Sequence, residues 1–494
     1  MNFDGRHLQL HPADNVAIAL KDDIANGVGI GHKISLRPIA AGELIIKYGQ
    51  PIGTATTAID SGAHVHTHNI SAGVDTARTD SNPPVNQRFT NVDERVFGGF
   101  RRSDGSVGTR NYVGIISTVN CSATVVRQIA AGIAPELLAS FPNVDGICPI
   151  THSTGCGMSG SGIGIDILRR TLGGYITHSN MGAVLVVGLG CETNDISSLL
   201  GSLNIEESES LRTVSIQDAG GTRAAIESAS AIIGELLSVA NRSERESASV
   251  AEITLALQCG GSDAFSGVTA NPALGYAADM LVAAGGTVIL GETPEIYGAE
   301  HLLLNRAESP AVADALNERL EWWQQYVAAN GASLNNNPSP GNIAGGISTI
   351  LEKSLGAVMK SGTMPLRAVY NYAEQVQERG FVFMDSPGYD PCSITGEIAS
   401  GANVVCFTTG RGSVFGAKPV PSVKLATNSA IAARMAEDMD YDCGVILSGD
   451  RTLAEAGADI FELIIETASG ARSLSETNGL GDFEFVPWQI GAVL

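Results

Sequence analysis

Several apolar segments of this chain are followed directly by a cysteine or by a glycine-rich polar turn, and this arrangement restricts the fold more than any other feature. The most informative case is residues 253–257, a short apolar run of strand type that leads into Gln258-Cys-Gly-Gly-Ser-Asp263. Paired glycines let the backbone adopt positive φ angles and approach a ligand closely. Ser262 and Asp263 can then cap the next helix, which is their ordinary role, or face a substrate.

The arrangement recurs along the chain, which favours a site assembled from several loops. Strand ends or glycine-rich turns hold three further cysteines: Cys121, Cys156 and Cys191. The repeated order of strand, loop and helix predicts an α/β fold with mostly parallel sheets. Ligands of such sheets bind beyond the carboxyl ends of the strands. His152, which follows the apolar residues 144–150, and the carboxylates Glu292 and Glu295 fall in such positions too.

For any single cysteine the alternative is a buried apolar side chain, because free cysteine is often buried. We prefer that interpretation for Cys148, Cys392, Cys406 and Cys443. No Cys-x-x-Cys pair occurs, which argues against a small structural zinc site and against a dithiol redox protein.

Composition excludes several classes of protein. The formal net charge is −22 and 44% of the 494 residues are hydrophobic, so the chain can build two or three domains but has no general affinity for nucleic acid or anionic membranes. Eight cysteines are too few for a disulfide scaffold. The amino terminus lacks the pattern of a signal peptide, and no apolar run approaches the length of a membrane span. We therefore expect a cytoplasmic protein with reduced thiols.

Four segments follow from changes in composition along the chain. Residues 1–72 contain short strands with glycine-rich turns and predict a small β-rich module of β-clip type. Residues 73–97 form a polar, proline-containing linker. Residues 98–245 and 250–494 predict two α/β domains with mostly parallel sheets, separated by a charged, serine-rich boundary.

The β-rich module ends with His64, His66 and His68 at alternate positions. In a strand such residues share one face, and imidazole is a preferred ligand of first-row metals. A flat strand spaces alternate residues by about 6–7 Å, so one or two of the three are expected to bind one ion. The alternative is a polar strand face at a domain edge.

Candidate groups for binding an anion are few in so acidic a chain. Arg411 lies in Thr409-Gly-Arg-Gly412 after an apolar run, where its guanidinium can bind a carboxylate through two hydrogen bonds. Arg110 belongs to a second concentration of positive charge near the start of the first α/β domain. The glycine-rich turns match neither a dinucleotide-binding fingerprint nor a P-loop.

A set of longer motifs resembles the altronate/galactarate dehydratase family, and the N-terminal module resembles the SAF domain of that family. The motifs occur in the family's order over nearly the whole chain and comprise Asp104-Gly-Ser-Val-Gly-Thr-Arg-Asn111, His152 with Gly155-Cys156, Gly188-Leu-Gly-Cys-Glu192, Gln258-Cys-Gly-Gly-Ser-Asp263, Asn337-Pro-Ser-Pro-Gly-Asn342, Glu352-Lys-Ser-Leu-Gly356, Thr409-Gly-Arg-Gly412 and Lys424-Leu-Ala-Thr-Asn-Ser429.

The resemblance implies a hydro-lyase that removes water from C2 and C3 of a sugar acid and gives a 2-keto-3-deoxy acid. Such chemistry needs a base, an acid and a positive charge near the substrate carboxylate. We assign His152 as the base, with Glu192 and Lys353 as the alternative acid or base. The residues assigned to the substrate are Arg110, Ser262, Asp263, Asn342, Arg411 and Lys424.

The resemblance also implies iron, as a ferrous ion or as a cluster with an open iron, with manganese or another divalent metal as the alternative. Its candidate ligands are His64, His66, Cys121, Cys156 and Cys191.

The N-terminal module resembles the altronate branch of the family, whereas the motif around Cys259 resembles the galactarate branch. We expect D-altronate as the substrate, converted to 2-dehydro-3-deoxy-D-gluconate, with galactarate as the alternative. A related family eliminates sulfite from sulfolactate, often with two chains. From another class, a non-catalytic sugar-acid binding protein would need neither base nor metal. A homodimer is expected.

Overall fold

The structure is a computed structural model that describes residues 2–3, 5–23, 26–72 and 94–493. Most of the predicted linker, residues 73–93, lies outside the described residues. The described chain forms three structural units, each with its own sheets. No helix in these units is both long and apolar enough to cross a membrane.

The first unit is a small β-rich module with two antiparallel sheets, as the sequence predicts. One sheet has the order β1-β2-β3-β4-β7 and the other β5-β6-β8. Its strands are β1 Asn2–Phe3, β2 His7–Gln9, β3 Val16–Ala19, β4 Lys33–Ser35, β5 Leu44–Lys47, β6 Gln50–Ala55, β7 His64–Val65 and β8 Ile70–Ser71. Val16, Ile45, Ile52 and Val65 are buried between the sheets, because alternate apolar residues of each short strand point inward.

The second unit is an α/β domain around a four-stranded parallel sheet of order β12-β11-β13-β14. A small antiparallel sheet, β10-β9-β15, lies beside it. Its strands are β9 Val96–Arg101, β10 Val107–Gly108, β11 Tyr112–Ser117, β12 Gly146–Ile150, β13 Met181–Gly188, β14 Leu211–Ser215 and β15 Arg245–Ser249. Its helices are α1 Asn120–Ala131, α2 Pro135–Leu138, α3 Ile163–Ile176, α4 Ile196–Leu203 and α5 Thr222–Ala240. The central strand β11 is buried throughout, which explains its continuous apolar sequence.

The third unit contains a seven-stranded sheet of order β18-β19-β17-β16-β20-β21-β22 in which every neighbouring pair is parallel. Its strands are β16 Thr254–Cys259, β17 Thr287–Leu290, β18 Leu366–Tyr370, β19 Gly380–Met384, β20 Val404–Thr409, β21 Ser422–Ala426 and β22 Tyr441–Asp442. Its helices are α6 Ala270–Ala283, α7 His301–Leu304, α8 Pro310–Ala329, α9 Pro340–Ala344, α10 Ile350–Val358, α11 Asp390–Ala399, α12 Ser429–Arg434, α13 Val445–Ser448, α14 Leu453–Ala468 and α15 Leu474–Thr477. The residues that follow β16, β17 and β20 therefore meet at one edge of this sheet.

Candidate functional site at the carboxyl edge of the large sheet

The N-terminal module is fixed to the third unit by a buried charge cluster. Lys33 Nζ lies 2.8 Å from Glu352 Oε2, and Lys47 Nζ lies 2.8 Å from Glu352 Oε1. Burial opposes ionisation of Glu352, but the two ammonium groups outweigh it and lower its pKa to about 2. The module is thereby held next to Lys353, the following residue of α10.

The docked module presents a group of four histidines, His32, His64, His66 and His68, whose neighbouring rings have centroids 5.0–5.4 Å apart. The predicted strand face is wrong in detail, because β7 ends at Val65 and the chain turns there. The turn brings the rings closer together than a flat strand would. Sequence analysis missed His32, because its closeness to His64 arises only when β4 pairs with β7.

Two histidines of this group have the geometry of metal ligands. His32 Nδ1 lies 3.0 Å from His64 Nε2, which suits a hydrogen bond between two neutral imidazoles and equally two ligands of one ion about 2.1 Å from each nitrogen. Burial lowers the pKa of His64 to about 4, so it is neutral, as a metal ligand must be. His66 fits less well, because its Nε2 lies 3.0 Å from the carbonyl oxygen of Ile343 and its Nδ1 lies 3.0 Å from Thr67 Oγ1.

A second group of polar side chains lies buried where β16 and β17 end. Lys353 Nζ is 2.6 Å from Glu295 Oε1 and 2.5 Å from Asn337 Oδ1. Cys259 Sγ lies 3.4 Å from Glu295 Oε2 and 2.9 Å from Lys360 Nζ. One acid, two ammonium groups and one thiol are thus linked by contacts beneath the module.

Protonation states within this buried group are set by burial and by the neighbouring charges. Burial opposes the charge of Lys353 and of Glu295, but their attraction outweighs it, so the pKa of Lys353 is raised and that of Glu295 is lowered. Burial raises the pKa of Glu292 well above its ordinary value, and raises that of the Cys259 thiol to about 12. Glu295 and Lys353 are therefore charged, whereas Glu292 and Cys259 hold their protons.

Cys259, Glu292 and Glu295 also form a possible metal-binding triad, because one potential ligand atom from each lies within 4.8 Å of the others. Within the described chain both oxygens of Glu292 lack a hydrogen-bond partner, so they are free to bind a cation in place of the proton. However, Lys353 and Lys360 already contact Glu295 and Cys259. The triad has suitable donor atoms, but two ammonium groups already contact it. The histidine pair has suitable donor atoms and is neutral, as a metal ligand must be.

Three of the substrate-binding residues expected from the sequence surround the loop after β16. Asp263 is a structural anchor, since its carboxylate accepts hydrogen bonds from Thr427, Asn428 and Ser266 at 2.9–3.1 Å. Ser262 is buried beside it. Arg411 lines a cavity of about 650 Å³ between the module and the third unit, and Asp263 lines the same cavity.

Three other expected substrate ligands are buried in the fold and do not line this cavity. The guanidinium of Arg110 donates two hydrogen bonds to Glu476 and others to backbone carbonyls, and so clamps the second unit onto the third. Asn342 belongs to the capping box of α9 and also donates to the carbonyl of Ser262. Lys424 is fully buried in β21, and its Nζ lies 3.8 Å from Asp438. We do not carry these three residues into the proposed site.

His152 and Glu192 lie in the second unit, away from the partners of Lys353. Both ring nitrogens of His152 contact backbone, the carbonyl of Ser117 at 3.0 Å and the amide of Thr154 at 3.3 Å. Burial lowers the pKa of His152 to about 4, so it is a weak base. Glu192 accepts hydrogen bonds from Thr118 and from two backbone amides. His152 and Glu192 therefore do not share one site with Lys353.

The expected metal ligands are likewise divided between units. Cys121, at the start of α1, and the loop residues Cys156 and Cys191 are exposed thiols of the second unit, whereas the histidines face the third. Throughout the described ranges, the five expected ligands form no group of three with ligand atoms within 4.8 Å of one another. The five candidate ligands therefore fall into two separate groups, the histidines of the module and the cysteines of the second unit.

These features define a class of protein, an α/β protein with a buried ion pair of Glu295 and Lys353 and a cation-lined cavity at the carboxyl edge of a parallel sheet. Family models match all three units in order. They are the altronate/galactarate dehydratase SAF domain over residues 5–73, the D-galactarate dehydratase/altronate hydrolase second domain over 99–241, and the D-galactarate/altronate dehydratase C-terminal domain over 250–493. The chain belongs to the altronate/galactarate dehydratase family.

Curated relatives match nearly end to end. The chain is 34% identical to an altronate dehydratase of Escherichia coli K12 over 96% of its own length and 97% of the relative. It is 34% identical to an altronate dehydratase of Bacillus subtilis 168 over 95% of its length and 96% of the relative. A galactarate dehydratase (L-threo-forming) of Escherichia coli K12 is 35% identical over 94% of this chain and 93% of the relative.

Proposed function

We propose that the protein is a sugar-acid dehydratase, a hydro-lyase that removes water across C2 and C3 of an aldonic or aldaric acid. The observation that carries the proposal is the buried ion pair of Glu295 and Lys353, 2.6 Å apart at the carboxyl edge of the seven-stranded sheet. It supplies a base and an acid side by side, next to the docked module and close to a cavity that can hold an anion.

The reaction needs both groups. The C2 proton is weakly acidic because it lies beside a carboxylate, and its removal builds negative charge on the carboxylate oxygens. Glu295 takes this proton, while the Lys353 ammonium protonates the C3 hydroxyl, which leaves as water. Once Lys353 has given up its proton, the charge that lowered the pKa of Glu295 is gone, so Glu295 becomes a stronger base. The resulting enol gains a proton at C3, loses the proton of its C2 hydroxyl and becomes the 2-keto-3-deoxy acid.

Iron is the metal that we propose for the site. When bound, a divalent ion supplies positive charge that stabilises the developing charge on the substrate carboxylate. His32 and His64 would hold it, since both are neutral and their nitrogens are 3.0 Å apart. Arg411 would orient the carboxylate from the cavity side.

An iron–sulfur cluster on Cys121, Cys156 and Cys191 is the alternative proposal for the metal. It is supported by the exposure of these three thiols, in contrast to the other five cysteines, and by cross-loop hydrogen bonds such as Asn120 N to the carbonyl of Thr154. Thiolate ligands suit such clusters. Acid-labile sulfide in the anaerobically purified protein, lost in a Cys156→Ser variant, would favour this alternative over the histidine site.

D-altronate, which would give 2-dehydro-3-deoxy-D-gluconate, is the first substrate to test, and galactarate is the second. The relatives support both, as their names include altronate dehydratase and galactarate dehydratase. A cytoplasmic location and a homodimer stay predictions from the sequence.

The test is an anaerobic assay of 2-keto-3-deoxy acid formation from D-altronate, galactarate and sulfolactate. Each acid is incubated with Fe²⁺, Mn²⁺ or chelator. We expect turnover of at least one sugar acid, dependence on the metal, and loss of turnover in Lys353→Met.

A matched control is Lys418→Met, because Lys418 forms a partly exposed ion pair with Asp482 elsewhere in the third unit. The control should keep wild-type turnover. Binding of a sugar acid by the wild type, without turnover under any metal, would instead support a non-catalytic binding protein.

A further inference from the structure

The cavity between the module and the third unit is lined by three cations that have no partner. Lys21 comes from the module, Arg411 follows β20, and Arg434 ends α12. Among the described residues, none of the three side chains makes a hydrogen bond or an ion pair. For comparison, the guanidinium group of Arg110 donates hydrogen bonds to an acid and to backbone carbonyls, and that of Arg306 donates to backbone carbonyls. Three unpaired cations around one cavity, in a chain of net charge −22, mark a place for an anion.

The acid that also lines this cavity does not neutralise the three cations. Asp263 is buried, and Thr427, Asn428 and Ser266 donate hydrogen bonds to its oxygens. Its closeness to the cavity wall depends on Gly410, where a Cβ atom would lie 2.1 Å from Asp263 Cγ. The Asp263 carboxylate is thus committed to the fold, and the cations are left for a ligand.

The cavity approaches the reacting groups at Asp263, which lines both this cavity and a small void that Lys353 also lines. The Cβ atom of Arg411 lies 3.2 Å from the place a Cβ would take on Gly261, in the loop that follows Cys259. Arg434 and Lys21 lie on the other two walls, one on α12 and one on the module. A substrate with one end at Glu295 and Lys353 would direct its other end toward these two cations.

Resting on the proposed function, we propose that Lys21 and Arg434 bind a second carboxylate at the end of the substrate remote from C2 and C3. They thereby select six-carbon acids with two carboxylates over those with one. An aldaric acid such as galactarate offers an anion there, whereas an aldonic acid such as D-altronate offers a neutral hydroxyl. The module contributes one of the two cations, so its docking is part of substrate selection.

The test compares kcat/KM for galactarate and D-altronate in the wild type, Lys21→Met and Arg434→Gln. A hydrogen bond to a charged group contributes about 1.5–3 kcal/mol, so each variant should lower the ratio of galactarate to altronate kcat/KM by roughly 10-fold to 150-fold. Both side chains are exposed, so the variants should keep the wild-type melting temperature. The matched control is Arg472→Gln, an exposed arginine outside the cavity, which should leave the ratio unchanged.

The outcomes separate this proposal from the proposed function. If the wild type turns over a sugar acid but the variants leave the ratio within threefold, the second-carboxylate site is wrong and the dehydratase stands. If the wild type turns over neither acid, calorimetric titration with galactarate and D-altronate in chelator decides. Tighter binding of galactarate that is lost in Lys21→Met supports the site, and equal or absent binding overturns it.

Discussion

The side chains of Lys353 and Glu295 show how burial and mutual attraction together set protonation. Each would be neutral if buried alone, because removal from water disfavours a charge. At 2.6 Å each stabilises the other's charged form, and Asn337 accepts a further hydrogen bond from the ammonium. The pair therefore consists of a protonated Lys353 and an ionised Glu295, which can act as acid and base on neighbouring carbons of a substrate.

Replacing the pair in two steps separates its role in catalysis from its role in stability. Lys353→Met should abolish turnover and, by removing the cation closest to the buried Glu295 carboxylate, cost about 3–5 kcal/mol of unfolding free energy. The double variant Lys353→Met, Glu295→Gln removes the poorly compensated acid as well, so stability should largely return while turnover should not. Anaerobic turnover and urea unfolding of both variants check this. Recovery of turnover in the double variant would contradict the assignment.

At the scale of elements, the contact of α10 with β4 and β5 places the module. Glu352, at the third position of α10, meets Lys33 of β4 and Lys47 of β5 in a fully buried cluster. Gly346 and Ser348, in the turn before α10, add hydrogen bonds to Lys33 and Glu352. The histidine group and Lys21 therefore keep their positions over the third unit only while this cluster is intact.

Glu352→Gln should loosen the module. Two buried ammonium groups would lose their common carboxylate, which costs about 3–5 kcal/mol. We expect a lower melting temperature and faster proteolysis of the module. The control is Glu43→Gln, which breaks the exposed pair with Arg37 and should leave the melting temperature unchanged. An equal effect of both variants would contradict the role of the buried cluster.

The lowered pKa of Glu352 predicts that the free energy of unfolding depends on pH in the acid range. The pKa of Glu352 is about 2 in the folded protein, against 4.5 for an ordinary glutamate, so the folded state binds fewer protons between these values and stability falls as pH falls. Its contribution is complete above about pH 5 and is lost as the pH approaches 2. The difference in urea-unfolding free energy between wild type and Glu352→Gln should therefore shrink steadily from pH 5 to pH 3. A constant difference would show that Glu352 is not ionised in the fold.

At the scale of the whole molecule, local sequence patterns predict the strands and the sheet edge but not the contacts between units. The apolar runs before Cys259 and Thr409 locate strands whose carboxyl ends meet, as the order β16-β20 confirms. Lys33 and Glu352, however, are 319 positions apart, and no local signal pairs them. The position of His152 after a strand predicts a base, because the sequence does not reveal that the Ser117 carbonyl of β11 and the Thr154 amide of its own loop contact its two ring nitrogens.

The arrangement of units also explains how an acidic protein can receive an acidic substrate. The net charge of −22 is offset locally by Lys21, Arg411 and Arg434, which face one cavity between the module and the large sheet. In the buried group where β16 and β17 end, Lys353 contacts Glu295 and Lys360 contacts Cys259. Positive charge is thus concentrated at the carboxyl edge of the large sheet, where it raises the local concentration of a carboxylate ligand.

The most direct measurement is proton NMR of D-altronate and galactarate incubated anaerobically with the Fe²⁺-treated protein in D₂O. The proposed reaction passes through an enol whose C3 takes its new hydrogen from solvent. We predict a 2-keto-3-deoxy acid that carries one deuterium at C3, and no product with Lys353→Met. A product whose C3 hydrogens are both unlabelled, or turnover that persists in Lys353→Met, would contradict dehydration by the Glu295 and Lys353 pair.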